Sequence, residues 1–117
     1  MQWNELSNLN QLTTLEQEST EKTVLIFKHS TSCSISRVAL DRLQRNWKEE
    51  EMKEVKPYFL DLISYRDISN QIAERFSVYH ESPQVILLRN NKVIYADSHW
   101  GIDYQAIKQE ANKISGN

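Results

Sequence analysis

Val24-Leu25-Ile26-Phe27-Lys28-His29-Ser30-Thr31-Ser32-Cys33-Ser34-Ile35-Ser36 predicts a buried strand, a short polar turn and the start of a helix. Val24 to Phe27 form a continuous, partly β-branched apolar run that suits a central strand covered on both faces. After the turn, apolar residues recur at helical spacing, namely Ile35, Val38, Ala39, Leu40, Leu43 and Trp47. We therefore expect a strand–turn–helix unit whose helix runs to about Trp47.

Cys33 is the single cysteine of the chain and stands at or just inside the predicted helix start. Hydroxyls of Ser30, Thr31 and Ser32 can cap the N–H groups of that helix. Unpaired N–H groups and the positive end of the helix dipole favour a thiolate over a thiol. The alternative is an inert cysteine that packs as a small hydrophobe.

Length and composition exclude several classes of protein. The chain has 117 residues, a net charge of −2, and two residues each of glycine and proline. These values predict one domain over residues 1–117, and they favour neither a nucleic-acid nor a membrane partner. The N-terminal sequence lacks a secretory signal, and one cysteine cannot close an intramolecular disulfide. We expect a cytoplasmic monomer.

Further elements are predicted on both sides of this strand–turn–helix unit: a helix before it, and a strand and a helix after it. Trp3, Leu6, Leu9, Leu12 and Leu15 recur every third residue and predict an amphipathic N-terminal helix. A second strand is predicted within 55–63, where Pro57 indicates that pairing starts after it or breaks there. Ser64 or Asp67 is a candidate cap for the following helix, whose apolar face contains Ile68, Ile72, Ala73 and Phe76.

The C-terminal third predicts a hairpin and a last helix. Strands Gln84–Leu88 and Lys92–Ala96 are joined by Asn90-Asn91, since asparagine tolerates the positive φ of two-residue turns. Residues 97–102 are predicted as a loop, Asp103 as a helix cap, and Ser115-Gly116-Asn117 as a frayed end. The order α-β-α-β-α-β-β-α predicts an α/β fold with a parallel core and an antiparallel edge.

A second loop, Glu81-Ser82-Pro83, comes just before the third predicted strand. A proline at such a turn is a candidate for a cis peptide bond. A cis bond would turn the backbone N–H and C=O of Ser82 outward, where they could pair with an extended ligand. The alternative is that Pro83 only ends a turn.

These features resemble the thioredoxin superfamily, and more closely the bacillithiol system redox-active protein family of YtxJ-type monothiol bacilliredoxins. Three stretches carry the resemblance: Lys28 to Ser36, His80-Glu81-Ser82-Pro83-Gln84-Val85, and Ser98-His99-Trp100-Gly101-Ile102. Dithiol relatives have Cys-x-x-Cys at this helix, whereas this chain has Cys33-Ser34-Ile35-Ser36. The family usually has proline after the cysteine, where this chain has Ser34. The resemblance implies a thioredoxin-like fold with a central four-stranded mixed sheet, flanked by helices, and an extra N-terminal helix.

The resemblance also implies a cytosolic enzyme that removes bacillithiol from protein mixed disulfides. Cys33 is its predicted nucleophile, and Ser36 is the predicted hydrogen-bond donor to the thiolate. Bacillithiol would be the thiol co-substrate, and the partners would be bacillithiolated proteins. No tightly bound cofactor is expected.

Several residues are predicted to hold the ligand. Ser82 and Pro83 would present backbone, Lys28 (ahead of Arg37) a cation, and Trp100 a lid. The Gly101-Ile102-Asp103 turn resembles the glycine–aspartate segment with which glutaredoxins hold glutathione, and it opens a helix whose N-terminus can bind carboxylate. Ser32 and Ser34, which flank Cys33, complete the predicted binding set.

Three other functions stay open from the sequence. A thioredoxin-fold binding module would keep its partner affinity after Cys33→Ala, and a monothiol-glutaredoxin-like iron–sulfur carrier would dimerise around a cluster. A Cys-His hydrolase would use His29 or His80 as its base. His29, His80 and His99 lack the spacing of metal ligands, so no metal site is predicted.

Overall fold

The computed structural model describes residues 1–115, so Gly116 and Asn117 of the predicted frayed end lie outside the described residues. In this part of the chain the strands are β1 Asn4–Glu5, β2 Thr23–His29, β3 Val55–Asp61, β4 Gln84–Arg89 and β5 Lys92–Ser98. The helices are α1 Gln11–Glu18, α2 Ser34–Asn46, α3 Arg66–Arg75 and α4 Tyr104–Ser115. Short 3-10 turns occupy Glu49–Glu51 and His99–Gly101.

The strands form one mixed sheet in the order β1-β3-β2-β4-β5. β2 pairs in parallel with β3 and antiparallel with β4, and β5 forms the antiparallel edge. Lys28 of β2 pairs with Gln84 of β4, so the end of β2 lies beside the start of β4. This register brings the two loops singled out from the sequence to the same edge of the sheet.

Hydrophobic layers cover both faces of the sheet. Alternate residues of β2 point to opposite faces, as strand geometry requires. Val24 and Ile26 pack with buried side chains of α1 and α3, and Leu25 and Phe27 pack with those of α2 and α4. The α/β class predicted from the sequence is confirmed.

The predicted N-terminal helix is wrong in its first half. Asn4–Glu5 pair in parallel with β3, which makes a five-stranded sheet instead of the predicted four-stranded one. The side-chain amide of Gln11 accepts from the N–H groups of Ser7 and Asn8, and Asn8 Oδ1 accepts from Asn10 N–H. These local bonds compete with helical ones, so α1 begins only at Gln11.

Three smaller expectations also change. Pro57 lies inside β3, opposite Leu25, and does not delay the strand. Neither Ser64 nor Asp67 caps α3, because its N-cap is Tyr65 and no side chain caps it there. Asp97 and Ser98, predicted as loop, continue β5.

The predicted hairpin turn is confirmed, since Asn90 and Asn91 both have positive φ, of 54° and 64°. No helix within residues 1–115 has the length and apolar character needed to cross a membrane.

Candidate active site

Cys33 lies at the N-terminus of α2 and not in the core. Its side chain is half-buried and in no disulfide. Its N–H donates to the Ser30 carbonyl at 3.1 Å, and its own carbonyl accepts from Arg37 N–H at 3.2 Å. The backbone of Cys33 is extended (φ −107°, ψ 120°), which makes it the N-cap residue of the helix. Cys33 is therefore not a buried core residue, and its reactivity stays a prediction.

The start of α2 has no side-chain cap, so the prediction of a serine or threonine cap is wrong. The helix begins after Cys33, one residue too late for Ser32 to serve it, and the Ser32 hydroxyl pairs with that of Ser30 at 3.3 Å. Among the described residues, nothing accepts from the N–H groups of Ser34, Ile35 and Ser36. Three free N–H donors and the positive end of a 13-residue helix therefore lie at the residues that directly follow Cys33.

Ser36 is completely buried one turn after Cys33. Its Oγ lies 2.7 Å from His29 Nδ1 and accepts from Ser30 N–H at 3.1 Å. The structure thus pairs Ser36 with His29 and Ser30, and its predicted bond to the Cys33 sulfur stays a prediction. Reasoning from sequence missed the histidine–serine pair, although His29 and Ser36 bracket the predicted turn.

Burial governs the electrostatics of His29. Its ring packs against Phe59 and Phe27, with centroids 5.4 and 6.2 Å away. Loss of solvation lowers its pKa, the nearby carboxylate of Asp61 opposes this, and the guanidinium of Arg37 adds to it. His29 is therefore held in its neutral form at neutral pH.

The Ser82–Pro83 peptide bond is cis, as predicted. Continuing the β2–β4 register beyond Lys28 and Gln84 sets this loop beside the turn that carries Cys33. Within residues 1–115, the backbone N–H and C=O of Ser82 make no hydrogen bond, and its buried hydroxyl also has no partner. The loop therefore offers an unpaired backbone edge beside the turn that carries Cys33.

The 3-10 turn His99–Gly101 contacts the Ser82–Pro83 loop. His99 N–H donates to the Pro83 carbonyl at 3.0 Å. Trp100 is 63% exposed, and Gly101 is exposed as well. A Cβ on Gly101 would meet the carboxylate of Asp97, so any larger residue there requires the Asp97 side chain to move. The role of Trp100 as a lid stays a prediction.

Asp103 is the cap of α4, as predicted: its Oδ2 accepts from Ala106 N–H at 3.1 Å. A carboxylate of the protein therefore already occupies this helix start. The uncapped start of α2 is better suited to an anionic group than the start of α4 is. Binding of a ligand carboxylate at the Gly101-Ile102-Asp103 turn stays a prediction.

The prediction that Lys28 touches a ligand is wrong. Its side chain is 0% exposed and its Nζ lies 3.3 Å from the Ser69 carbonyl oxygen and 3.2 Å from His80 Nδ1. Lys28 shares the face of β2 with Ile26, under α3, whereas α2 packs on the other face. Arg37, ranked second from the sequence, is exposed in the first half of α2 and is the better-placed cation.

Within residues 1–115, no group of three or more His, Cys, Asp and Glu side chains is arranged to hold a metal ion. The reactive group that the site offers is the Cys33 thiol. A half-buried thiol at a helix start with free N–H groups can attack a disulfide, and the unpaired backbone of the Ser82–Pro83 loop can orient the attacked group.

Together, the strand–turn–helix unit with its cysteine and the cis-proline loop beside it define a thiol redox protein with the thioredoxin fold. A solved structure described as a candidate oxidoreductase with a thioredoxin fold is 30% identical, with a TM-score of 0.76, over 91% of this chain and 90% of that one. A family model described as the monothiol bacilliredoxin BrxC matches residues 4–107. The chain belongs to this family, and its single cysteine fits the monothiol description.

Thioredoxins themselves share the fold at much lower identity. The thioredoxin of Malassezia sympodialis is 16% identical with a TM-score of 0.71, over 96% of this chain and 90% of that one. The thioredoxin of Trypanosoma brucei brucei is 14% identical with a TM-score of 0.71, over 99% and 93% of the two chains. The predicted fold and superfamily are confirmed.

Proposed function

We propose that this protein removes bacillithiol from proteins that carry it as a mixed disulfide, with Cys33 as the nucleophile. One observation carries the proposal: the half-buried Cys33 is the N-cap of a helix whose first N–H groups have no partner among residues 1–115. Such a position stabilises the anionic sulfur that thiol–disulfide exchange requires. Membership of the monothiol bacilliredoxin family supports the choice of substrate.

The exchange needs only one cysteine. The Cys33 thiolate attacks the bacillithiol sulfur, the disulfide to the target protein breaks, and the target leaves as a thiolate that takes a proton from water. Cys33 then holds bacillithiol in a mixed disulfide. A free bacillithiol thiolate attacks the bacillithiol sulfur of that adduct, which releases Cys33 and forms bacillithiol disulfide. Bacillithiol is thus a co-substrate, and no bound cofactor takes part.

Two neighbouring features support recognition of bacillithiol. The unpaired N–H and C=O of Ser82 can pair with the cysteinyl part of the ligand, as one strand pairs with the next. The malate part carries two carboxylates, for which exposed Arg37 and the free N–H groups of α2 are the available partners. The reaction is assigned to the cytoplasm, where a reduced thiol pool can regenerate Cys33.

The test is transfer of the small thiol from a bacillithiolated target protein to this chain. Intact-mass measurement should show Cys33 gaining the mass of bacillithiol as the target loses it, and Cys33→Ser should abolish the gain. Thr31→Ala is the matched control, because Thr31 is exposed in the same turn and its replacement does not remove the sulfur.

The same target carrying glutathione tests the identity of the substrate. We expect transfer from the glutathione adduct to be at least about tenfold slower, which corresponds to a loss of about 1.4 kcal/mol of transition-state binding. Equal rates would contradict bacillithiol specificity while leaving the role of Cys33 intact. Absence of transfer from either adduct would overturn the nucleophile itself.

A further inference from the structure

The segment 79–81, which leads into the cis bond after Ser82, is bonded to two buried polar side chains. These are Lys28 of β2 and Gln84 of β4, which are 0% and 2% exposed and lie opposite each other in the β2–β4 register. Residues opposite each other in an antiparallel pair point to the same face of a sheet. Both side chains therefore lie on the face that α3 covers, away from α2.

Gln84 bonds the backbone of this segment at both ends. Its Nε2 donates to the Tyr79 carbonyl oxygen at 2.9 Å, and its Oε1 accepts from the Glu81 N–H at 3.4 Å. A carbonyl oxygen can only accept and an N–H can only donate, so one orientation of the Gln84 amide satisfies both partners. The side chain thus fixes the backbone on either side of His80.

Lys28 bonds the residue between these two. Its Nζ lies 3.2 Å from His80 Nδ1, and a lysine ammonium can only donate, so Nδ1 is the acceptor. Ser69 of α3 supports this pair, because its carbonyl accepts from Lys28 Nζ at 3.3 Å and its Oγ lies 3.2 Å from His80 Nδ1. Side chains and backbone of β2, β4 and α3 therefore hold the segment 79–81.

Both neighbours of Ser82 are bonded from the other side as well, whereas Ser82 itself is not. Ser98 Oγ donates to Glu81 Oε2 at 2.7 Å. His99 N–H donates to the Pro83 carbonyl at 3.0 Å. Within residues 1–115, the N–H and C=O of Ser82 have no partner. A backbone edge whose surroundings are already ordered loses little further conformational entropy when a ligand pairs with it.

We propose that Lys28 and Gln84 are positioning residues that fix the Ser82 edge, so that Cys33 reacts preferentially with disulfides whose sulfur belongs to a cysteinyl group. The inference rests on the proposed function, in which Cys33 is the nucleophile and Ser82 pairs with the cysteinyl part of bacillithiol. Lys28 and Gln84 act through the segment 79–81 and do not touch the ligand. Burying polar side chains costs free energy, and such costs are expected where function requires the groups.

Two symmetric disulfides test this selectivity. That of N-acetylcysteine methylamide has amide groups on both sides of the cysteinyl carbon, and that of mercaptoethanol has none. The Cys33 thiolate attacks one sulfur, the S–S bond breaks, and the other half leaves as a thiolate that takes a proton from water. Cys33 is the single thiol of the chain, so intact-mass measurement of its adducts gives both rates. Dividing their ratio by the same ratio for a simple alkyl thiol in solution removes the intrinsic reactivity of the probes.

We expect this normalised ratio to be about three- to tenfold above one in the wild type, which is what one or two hydrogen bonds to Ser82 supply. Lys28→Met and Gln84→Met should each lower the ratio towards one, and the loss should fall on the rate with the amide probe. Gln84→Met should have the larger effect, because Ser69 Oγ still contacts His80 when Lys28 is replaced.

Lys56→Met and Gln71→Met are the matched controls, because they make the same replacements at half-buried positions outside the segment 79–81. Lys56 pairs with Glu18, so its loss disturbs the fold, and the ratio should nevertheless keep its wild-type value. The proposal is overturned by a wild-type ratio near one, by an unchanged ratio in both Lys28→Met and Gln84→Met, or by equal falls in the controls. A wild type that reacts with neither probe would overturn the nucleophile of the proposed function, and this inference with it.

A measurement on the wild type alone covers the case in which the variants do not fold. The NMR order parameter of the Ser82 N–H reports its motion on the picosecond–nanosecond timescale. Because the residues on both sides are held, we expect a value of about 0.85, as in rigid backbone, although this N–H has no partner within residues 1–115. A value below about 0.6 would show that the edge is mobile and would contradict the proposal.

Discussion

Lys28 has a buried amine that no carboxylate of the described residues pairs with. Its side chain is 0% exposed, and none of the ion pairs within residues 1–115 includes it. Its hydrogen-bond partners, the Ser69 carbonyl and His80 Nδ1, are neutral acceptors. Loss of solvation therefore lowers its pKa to about 8 from 10.5. A buried ammonium of this kind costs stability in the pH range where it is charged.

We expect Lys28→Met to raise the free energy of unfolding at neutral pH by about 1–3 kcal/mol, since it removes a poorly solvated charge at similar volume. The wild type should also gain stability as the pH rises from about 8 to 10.5, because the unfolded chain binds the proton there and the folded chain has released it. Lys28→Met should lack this rise. Urea unfolding at several pH values measures both effects.

Lys53→Met is the control, because Lys53 is exposed and its replacement should change neither the free energy of unfolding at neutral pH nor its rise with pH. A large loss of stability in Lys28→Met would show that the bonds to Ser69 and His80 outweigh the cost of desolvation.

At the scale of elements, local sequence patterns predicted which helices and strands exist better than they predicted where each one begins and ends. The apolar run of β2, the helical spacing of α2 and the Asn90-Asn91 turn each have one strong local cause, and all three are confirmed. The spacing of three from Trp3 to Leu15 spans a strand, a loop and α1. Leu6 N–H donates to the Phe59 carbonyl at 2.8 Å, a partner that lies 53 residues away along the chain. No local pattern identifies such a partner, so β1 could not be predicted.

The cap of α4 gives a prediction at this scale. Asp103→Ala removes the acceptor of Ala106 N–H, and we expect it to lower the free energy of unfolding by about 1 kcal/mol. Asp67→Ala is the matched control: Asp67 lies in the first turn of α3 and makes no cap hydrogen bond. Loss of the Asp67 carboxylate should lower the free energy of unfolding by about 0.5 kcal/mol or less, from the helix dipole alone. Equal losses for the two variants would show that the bond to Ala106 contributes nothing beyond charge.

At the scale of the whole molecule, the two faces of the sheet decide what each polar residue of β2 can do. Lys28 and His29 are adjacent in sequence but point to opposite layers, since side chains alternate along a strand. Lys28 follows Val24 and Ile26 to the α3 side, and His29 follows Leu25 and Phe27 to the α2 side. The alternation was readable from the sequence. The sequence does not indicate which face of the sheet α2 covers, because that depends on how the helices pack.

On each side of the sheet lies a histidine whose pKa folding lowers, His29 being buried and His80 exposed. Burial lowers the pKa of His29 and of His80. Around His80, Lys28 and Arg66 add to this effect and Glu81 opposes it. The unfolded chain binds a proton at each site more readily than the folded chain does. The free energy of unfolding should therefore fall as the pH drops through the ordinary histidine value of about 6.5.

Urea unfolding between neutral pH and pH of about 5.5, above the range where most carboxylates titrate, measures this slope. His29→Asn and His80→Asn should each flatten part of it, and the double variant should flatten it by the sum, since the two rings lie on opposite faces of the sheet and share no partner. His99→Asn is the control, because His99 is exposed and asparagine tolerates its φ of 53°. If the slope persisted in the double variant, the acid sensitivity would be due to other groups. Non-additive losses would instead mean that the sheet couples its two layers.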